Sequence, residues 1–305
     1  MLLKKIQRSF QYSAGFGFFV MCSLILRFLP QVFLYEIANA FAVLVYFAGV
    51  KFRRVALQNL EAAFGREKSK AEIKKIARGC FISIVKSALE LVTIVGKSPE
   101  FLQRRYELVN KEYLDKALAK GRGVILVSAH FGNFPVMIAR LACEGYKAGA
   151  VMRPLKYERF ERFLAAERDR FKIHTIKSIP RKECVAQTIR SLRNNEAIFL
   201  PLDQNFGTGG VFVDFFGRKA ATATGPVVLA QRTRAALVPC FIIRQENNHH
   251  RIVFEPEMAL VQGSTEQENI RRNVQALTSI IELYIRRYPA EWAWIHRRWK
   301  AKQRI

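Results

Sequence analysis

The chain has 305 residues, long enough for a sizeable core and for one large domain or two small ones. It carries 50 Lys and Arg against 25 Asp and Glu, a formal charge of +25, which implies a polyanionic partner: nucleic acid, anionic lipid or an acidic carrier protein. Nucleic-acid proteins seldom carry a long uncharged N-terminal run such as this chain has. Its five cysteines are scattered, without a C-x-x-C pair or metal spacing, and read as buried free thiols in a reducing compartment.

Lys4, Lys5 and Arg8 precede an uncharged run from Ser9 to Leu26, which Arg27 ends. A second apolar stretch runs from Phe28 to Val50, broken by Pro30 and Glu36. The first run is just long enough to cross a bilayer. Basic residues flank the region on both sides, at Lys4, Lys5, Arg8 and Arg27 and again at Lys51, Arg53 and Arg54. Both flanks therefore prefer the cytoplasm, which fits an interfacial or hairpin anchor better than a single crossing. A buried pair of core helices is the alternative. Arg27 and Pro30 interrupt the apolar region and disfavour a cleavable signal.

Lys51 to Gly65 reads as a short amphipathic helix, and Ser69 to Val95 as a longer one, with Ile73, Ile76, Ala77, Cys80, Phe81 and Ile84 near helical spacing and with Gly96 and Pro99 closing it. Beyond Tyr106 strands and helices alternate. The strand-like runs are Val124–Ala129, Ala148–Met152, His174–Ile179, Ala197–Leu202, Leu237–Ile243 and Arg251–Glu255. Helical patterns cover Phe134–Glu144, Tyr157–Arg170, Lys182–Asn194, Gly225–Arg234 and Thr265–Tyr288. This alternation predicts an α/β fold: a mostly parallel central sheet flanked by helices, with a membrane-associated helical extension at the N-terminus. The expected division is an anchoring segment over residues 1–50 and an α/β domain over 51–305.

Three strand ends carry polar residues: His130 after Val124–Ala129, Arg153 after Ala148–Met152, and Asp203 with Gln204 and Asn205 after Ala197–Leu202. Ligands bind outside the carboxyl ends of the strands in open α/β sheets, so these groups can share one crevice. His130 has the proton affinity of a general base near neutral pH. Arg153 can hold a carboxylate or phosphate bidentately. Asp203 can orient an imidazole or an arginine, or cap a turn. The segment Val211–Phe216 is either a wall for an acyl chain or an ordinary hairpin strand. Thr224 stands where it can cap the helix that follows, with the cations Arg218 and Lys219 close in sequence. The tail Glu291–Lys300 interleaves basic residues with Trp292, Trp294 and Trp299, which suits a membrane interface or an anionic head group, or else a solvated charged face.

In their order and spacing, the N-terminal anchor, RRVALQNLEAAF, SAHFGNF, MRP, LDQN, VFVDFFGRKAATATGP and EWAWIHRRWK together resemble the lysophospholipid acyltransferase superfamily, and within it the late acyltransferases of lipid A biosynthesis. The resemblance covers nearly the whole chain. It implies an enzyme of the inner membrane, its catalytic domain on the cytoplasmic side, that moves a fatty acyl group from acyl carrier protein to a lipid hydroxyl. It implies no cofactor and no metal, with partners limited to the carrier protein, the lipid acceptor and an anionic membrane surface, and no nucleic acid. His130 and Asp203 are then the expected catalytic residues, and Asn133, Arg153, Gln204, Arg218, Lys219 and Thr224 the expected substrate contacts. An acceptor other than lipid A, such as a lysophospholipid or a polyene-type lipid, is not separable on sequence.

One position departs from the family. Its usual signature places Asp or Glu five residues after the histidine, and this chain has Pro135 there. Proline cannot orient an imidazole through its side chain. Either Asp203 or another carboxylate such as Asp214 takes that part, or His130 works alone, or the chain binds lipid without catalysis. In a serine-protease triad, loss of the orienting carboxylate costs about 10⁴ in kcat, so the difference is large.

Overall fold

The computed structural model describes residues 28–94, 97–155 and 157–301, together with residues 17, 21 and 23–26. Lys4, Lys5, Arg8, Arg27, Val95 and Gly96 lie outside the described residues, as does most of the Ser9–Leu26 run. Helices α1 (Gln31–Ala48), α2 (Val50–Phe64) and α3 (Lys70–Thr93) come first, then the short α4 (Pro99–Arg105). Strands and helices then alternate through β1 (Tyr106–Val109), α5 (Lys111–Leu118), β2 (Val124–Ser128), α6 (Phe134–Cys143), β3 (Ala148–Met152), α7 (Glu158–Arg170), β4 (His174–Lys177), α8 (Arg181–Arg193) and β5 (Ala197–Pro201). A hairpin of β6 (Val211–Phe215) and β7 (Arg218–Thr222) precedes α9 (Gly225–Thr233), β8 (Ala236–Arg244), β9 (His250–Phe254) and α10 (Glu266–Arg287).

Seven strands form one sheet in the order β1-β9-β8-β2-β5-β3-β4. All neighbouring pairs are parallel except β8–β9, so β1 and β9 run against the other five. β2 and β5 lie side by side at its centre, although two strands and three helices separate them in sequence. The chain leaves β2 for β3 and β4 on one side, returns to β5, and crosses to β8 on the other side of β2. This reversal opens a crevice at the carboxyl ends of β2 and β5.

Alternation along the strands sends side chains to two cores. Ile125, Val127 and Ile198 join Leu60, Phe64, Phe81, Leu277, Trp292 and Trp294 on one face. Val124, Leu126, Ala197 and Phe199 join Val136, Met137 and Leu141 of α6 on the other. All five residues of β2 are buried, as its unbroken apolar run requires of a central parallel strand. α4, β1 and α5 do not stand out in the sequence. β1 is only four residues long and includes the exposed Glu107, too brief for a period-2 signal to stand out.

α1 lies along α3 rather than apart from the domain. Leu34, Ala38, Ala42 and Tyr46, spaced by four, form its buried stripe. Its other sides expose Val32, Phe33, Ile37, Phe41, Val43, Leu44 and Phe47. Among the described residues it is the one helix long and apolar enough to cross a membrane. The start of α3 is fixed locally: Ser69 and Glu72 close a capping box.

The tail differs from both readings offered above. Trp292, Trp294 and Arg298 are fully buried, so the aromatic side of this segment is core, while Arg297 and Lys300 stay exposed. Burial of each large aromatic stabilises the fold by roughly 1.5–3 kcal/mol, which outweighs the basic character of the surrounding stretch. The Arg298 guanidinium is accommodated by donating to the carbonyls of Gln204 (3.1 Å) and Ala221 (2.7 Å) and to Thr222 Oγ1 (2.5 Å). The Val211–Phe216 segment is the hairpin strand and does not wall the cavity described below; Val213, Phe215 and Phe216 pack into the same core as the tail.

Candidate active site

Register builds the site. Ser128 of β2 stands opposite Pro201 of β5, and Leu202 N–H donates to the Ser128 carbonyl at 2.9 Å. Two residues beyond each strand end, His130 and Asp203 therefore meet. His130 Nδ1 lies 2.9 Å from Asp203 Oδ1. The second carboxylate oxygen, Oδ2, accepts the Trp292 indole N–H at 2.7 Å. On the other side of the ring, Gln204 Nε2 is 3.1 Å from His130 Nε2. A carboxylate at Nδ1 and an amide N–H at Nε2 together select the neutral tautomer with its proton on Nδ1 and a lone pair on Nε2.

The loop after β2 is tightly determined. Gly132 has φ +53°, and a Cβ there would sit 2.3 Å from the Ile242 carbonyl oxygen. The segment 130–132 is bridged to the tail: Ala293 N–H donates to the His130 carbonyl at 3.0 Å and Gly132 N–H to the Glu291 carbonyl at 2.9 Å. Phe134 packs edge-on to the imidazole, with centroids 5.2 Å apart.

Electrostatics favour a basic imidazole. Burial of the ring pushes the His130 pKa down, but the charge and hydrogen bond of Asp203 outweigh it and hold the value above that of an ordinary histidine. Burial pushes the Asp203 carboxyl up, and the cationic form of His130 with hydrogen bonds from His130 and Trp292 brings it below the ordinary aspartate value.

His130 opens onto a cavity of about 470 Å³, within the usual range for ligand pockets. It runs over β3 and β5 between α6 and α7. Ile138, Ala150, Phe199, Leu164 and Phe171 give it an apolar lining, and Arg153 and Gln204 stand with His130 at the carboxyl-terminal strand edge. Pro135 is part of this wall. It occupies the first turn of α6, where a missing backbone N–H costs nothing. α7 has no fully buried residue, because its inner face borders this space.

Of the residues singled out in the sequence, His130, Asp203, Gln204 and Arg153 come together. Asn133 does not join them. It is buried, and its amide donates to Glu90 Oε2 at 2.8 Å and toward the Ser87 carbonyl at 3.3 Å. Glu90 is itself paired with Arg244 and accepts the Tyr35 hydroxyl at 2.9 Å. Arg218, Lys219 and Thr224 do not line the cavity. Arg218 lies over the Trp299 ring, and Lys219 pairs with Asp214 at 3.0 Å across the hairpin, so Asp214 is already engaged. Thr224 holds the N-cap position of α9, without a side-chain capping bond.

Trp292 reaches Asp203 from a stretch that the sequence does not mark as part of a site. Its only sequence signal is the Trp-x-Trp alternation, which reads as extended chain with one face inward. His296, whose Nε2 accepts the Asn205 N–H at 3.2 Å, likewise carries no signal of its own within the tail.

The sequence matches the profile of the bacterial lipid A biosynthesis acyltransferases over residues 3–301. A Haemophilus influenzae lipid A biosynthesis acyltransferase is 22% identical over 89% of this chain and 83% of its own length. The Escherichia coli lipid A biosynthesis palmitoleoyltransferase is 25% identical over 81% and 78% respectively. A Mycobacterium tuberculosis phosphatidylinositol mannoside acyltransferase is 29% identical over 62% and 58%. With nearly its full length matched, the chain belongs to the bacterial lipid A biosynthesis acyltransferase family.

Proposed function

We propose that this protein transfers a fatty acyl group from an acyl carrier protein thioester to a hydroxyl of a lipid A precursor, with His130 as general base. The observation that carries the proposal is the His130–Asp203 pair at the mouth of an apolar cavity. The cavity takes the acyl chain, with the thioester carbonyl beside His130. The acceptor hydroxyl displaces the Gln204 amide from His130 Nε2 and gives its proton to that nitrogen as its oxygen attacks the carbonyl. The tetrahedral oxyanion collapses, the carbon–sulfur bond breaks, and the thiolate leaves with the proton from Nε2. Asp203 keeps the imidazole in the productive tautomer and balances the imidazolium that forms. The freed Gln204 amide is a donor within reach of the oxyanion. Arg153, exposed at the mouth, suits the phosphate of the acceptor or of the carrier.

The formal charge of +25 supports an acidic carrier and an anionic membrane as partners. The exposed apolar faces of α1 support attachment to a membrane, with residues 1–50 as the anchor and 51–305 as the catalytic domain; the basic residues Lys51, Arg53 and Arg54 beside it favour the cytoplasmic side of the inner membrane. A phosphatidylinositol mannoside acceptor is a second reading, favoured by the mycobacterial relative. The non-catalytic reading rests on Pro135 and is disfavoured by the carboxylate already bonded to Nδ1.

The test is acyl transfer from labelled acyl carrier protein in membranes containing the wild type or His130→Ala, with a lipid A precursor and a phosphatidylinositol mannoside as alternative acceptors. Transfer to the lipid A precursor that His130→Ala abolishes supports the proposal. Transfer only to the mannoside replaces the acceptor, and near-normal turnover by His130→Ala removes the base assignment.

A further inference from the structure

The carboxylate of Asp203 has a partner on each oxygen. Oδ1 faces His130 Nδ1, and Oδ2 accepts the Trp292 indole N–H at 2.7 Å. Trp292 is 1% exposed and wedged edge-on between Phe215 and Trp294, with centroids 5.6 Å and 4.5 Å away. Its ring therefore has little freedom to turn, and the direction of its N–H is fixed. The same short stretch also grips the main chain of the base, through Ala293 N–H to the His130 carbonyl and Gly132 N–H to the Glu291 carbonyl. One segment, Glu291–Ala293, thus holds both partners of the pair: His130 by its backbone and Asp203 by its side chain.

The need for such a device follows from the sequence. An acid five residues after the histidine would be held by the first turn of α6. Pro135 removes that possibility, and the carboxylate arrives instead from a position 73 residues away. Its other donors, the Nδ1–H and the main-chain N–H of His130, both belong to the base itself, so the carboxylate can still turn about Cβ–Cγ as that residue shifts. A rigid donor from a separate segment on Oδ2 removes that freedom and stabilises the charge in a buried position.

We infer that Trp292 is a positioning residue for acyl transfer, whose indole N–H aims the Asp203 carboxylate at His130 and so supplies the alignment that a residue at position 135 cannot. The inference rests on the reading of His130 as the base. The titratable groups around this carboxylate are His130, His296 and Arg298. Of these His130 alone is in direct contact with it among the bonds described.

Trp292→Phe in the full chain keeps an aromatic ring and removes the N–H. The expected result is a folded protein with KM for the acyl donor unchanged and kcat about ten- to a hundredfold lower. The acid limb of its kcat profile moves to lower pH, because a misaligned carboxylate no longer raises the proton affinity of His130. A merely structural tryptophan would lower thermal stability without moving that limb. Unchanged kcat and an unmoved limb in Trp292→Phe, beside loss of activity in His130→Ala, overturn the positioning role alone. Turnover retained in His130→Ala overturns the base reading and the positioning role with it. Should Trp292→Phe not fold, the indole ¹⁵N–¹H resonances of the three tryptophans in the wild type and Asp203→Asn decide the question. The inference expects one indole proton to move upfield when its charged acceptor is neutralised; three unmoved resonances overturn it.

Discussion

Asp203 reaches His130 from the neighbouring central strand, with Oδ1 2.9 Å from Nδ1, although the two residues are 73 positions apart in sequence. The contact follows from the pairing of Ser128 with Pro201, which sets the two strand ends level. In the function proposed, it supplies across strands what the family signature usually supplies within one helix turn. Pro135 is therefore free to serve as apolar wall of the cavity.

This pair fixes the direction of the pH dependence. A general base works only when unprotonated, so transfer falls as pH drops through the His130 pKa. Because Asp203 raises that pKa, the acid limb is expected above about 6.5, the ordinary imidazole value. In Asp203→Asn the residual activity has its limb at lower pH. Rates measured from pH 5 to 9 for both proteins check this; coincident limbs would remove Asp203 from the electrostatics of the base.

Glu90 is expected to matter for stability first. It is a buried acid holding Arg244, Tyr35 and the Asn133 amide behind the His130 loop. Glu90→Ala strands the Arg244 guanidinium without its partner, at a cost of about 3–5 kcal/mol. Thermal unfolding of the purified protein is the measurement, and a melting temperature equal to that of the wild type would contradict the account of this cluster.

Gly132→Ala tests how tightly the loop is determined. The substitution forces a Cβ against the Ile242 carbonyl at a positive φ. A loss of about 1–3 kcal/mol is expected from the backbone conformation alone, with the clash added to it. Activity should fall more than stability, because the bridge from Gly132 to Glu291 sits beside the base.

On α1, the double substitution Phe33→Glu and Phe41→Glu changes two exposed residues outside the buried stripe. The folded domain should tolerate it. Binding to vesicles containing anionic lipid, read by flotation, should drop several-fold if this face meets the membrane, and stay unchanged if it does not.

Much of the scaffold was legible in the sequence. The apolar runs at β2 and β5 marked buried strands, and the polar residues just past them marked one edge of the sheet. That β2 and β5 are neighbours could not be read, since their pairing depends on which side the chain crosses back. Four residues illustrate the limit. Asp203 was a candidate among several carboxylates until register brought it to Nδ1. Asn133 stands in the most suggestive motif yet turns inward, because Glu90 from α3 waits beneath it. Trp292 and Arg298 lie in a stretch whose composition suggests surface. Their burial depends on the β6–β7 hairpin, 70 or more residues upstream, which folds over them.

The measurement that tests the central claim most directly is the single-turnover rate of acyl transfer by Asp203→Asn beside the wild type and His130→Ala. If Asp203 is the carboxylate that orients the base, its loss should lower the rate by about 10³–10⁴, with a larger loss in His130→Ala. A rate within threefold of the wild type, from a protein that folds normally, would contradict the account and leave His130 working without it.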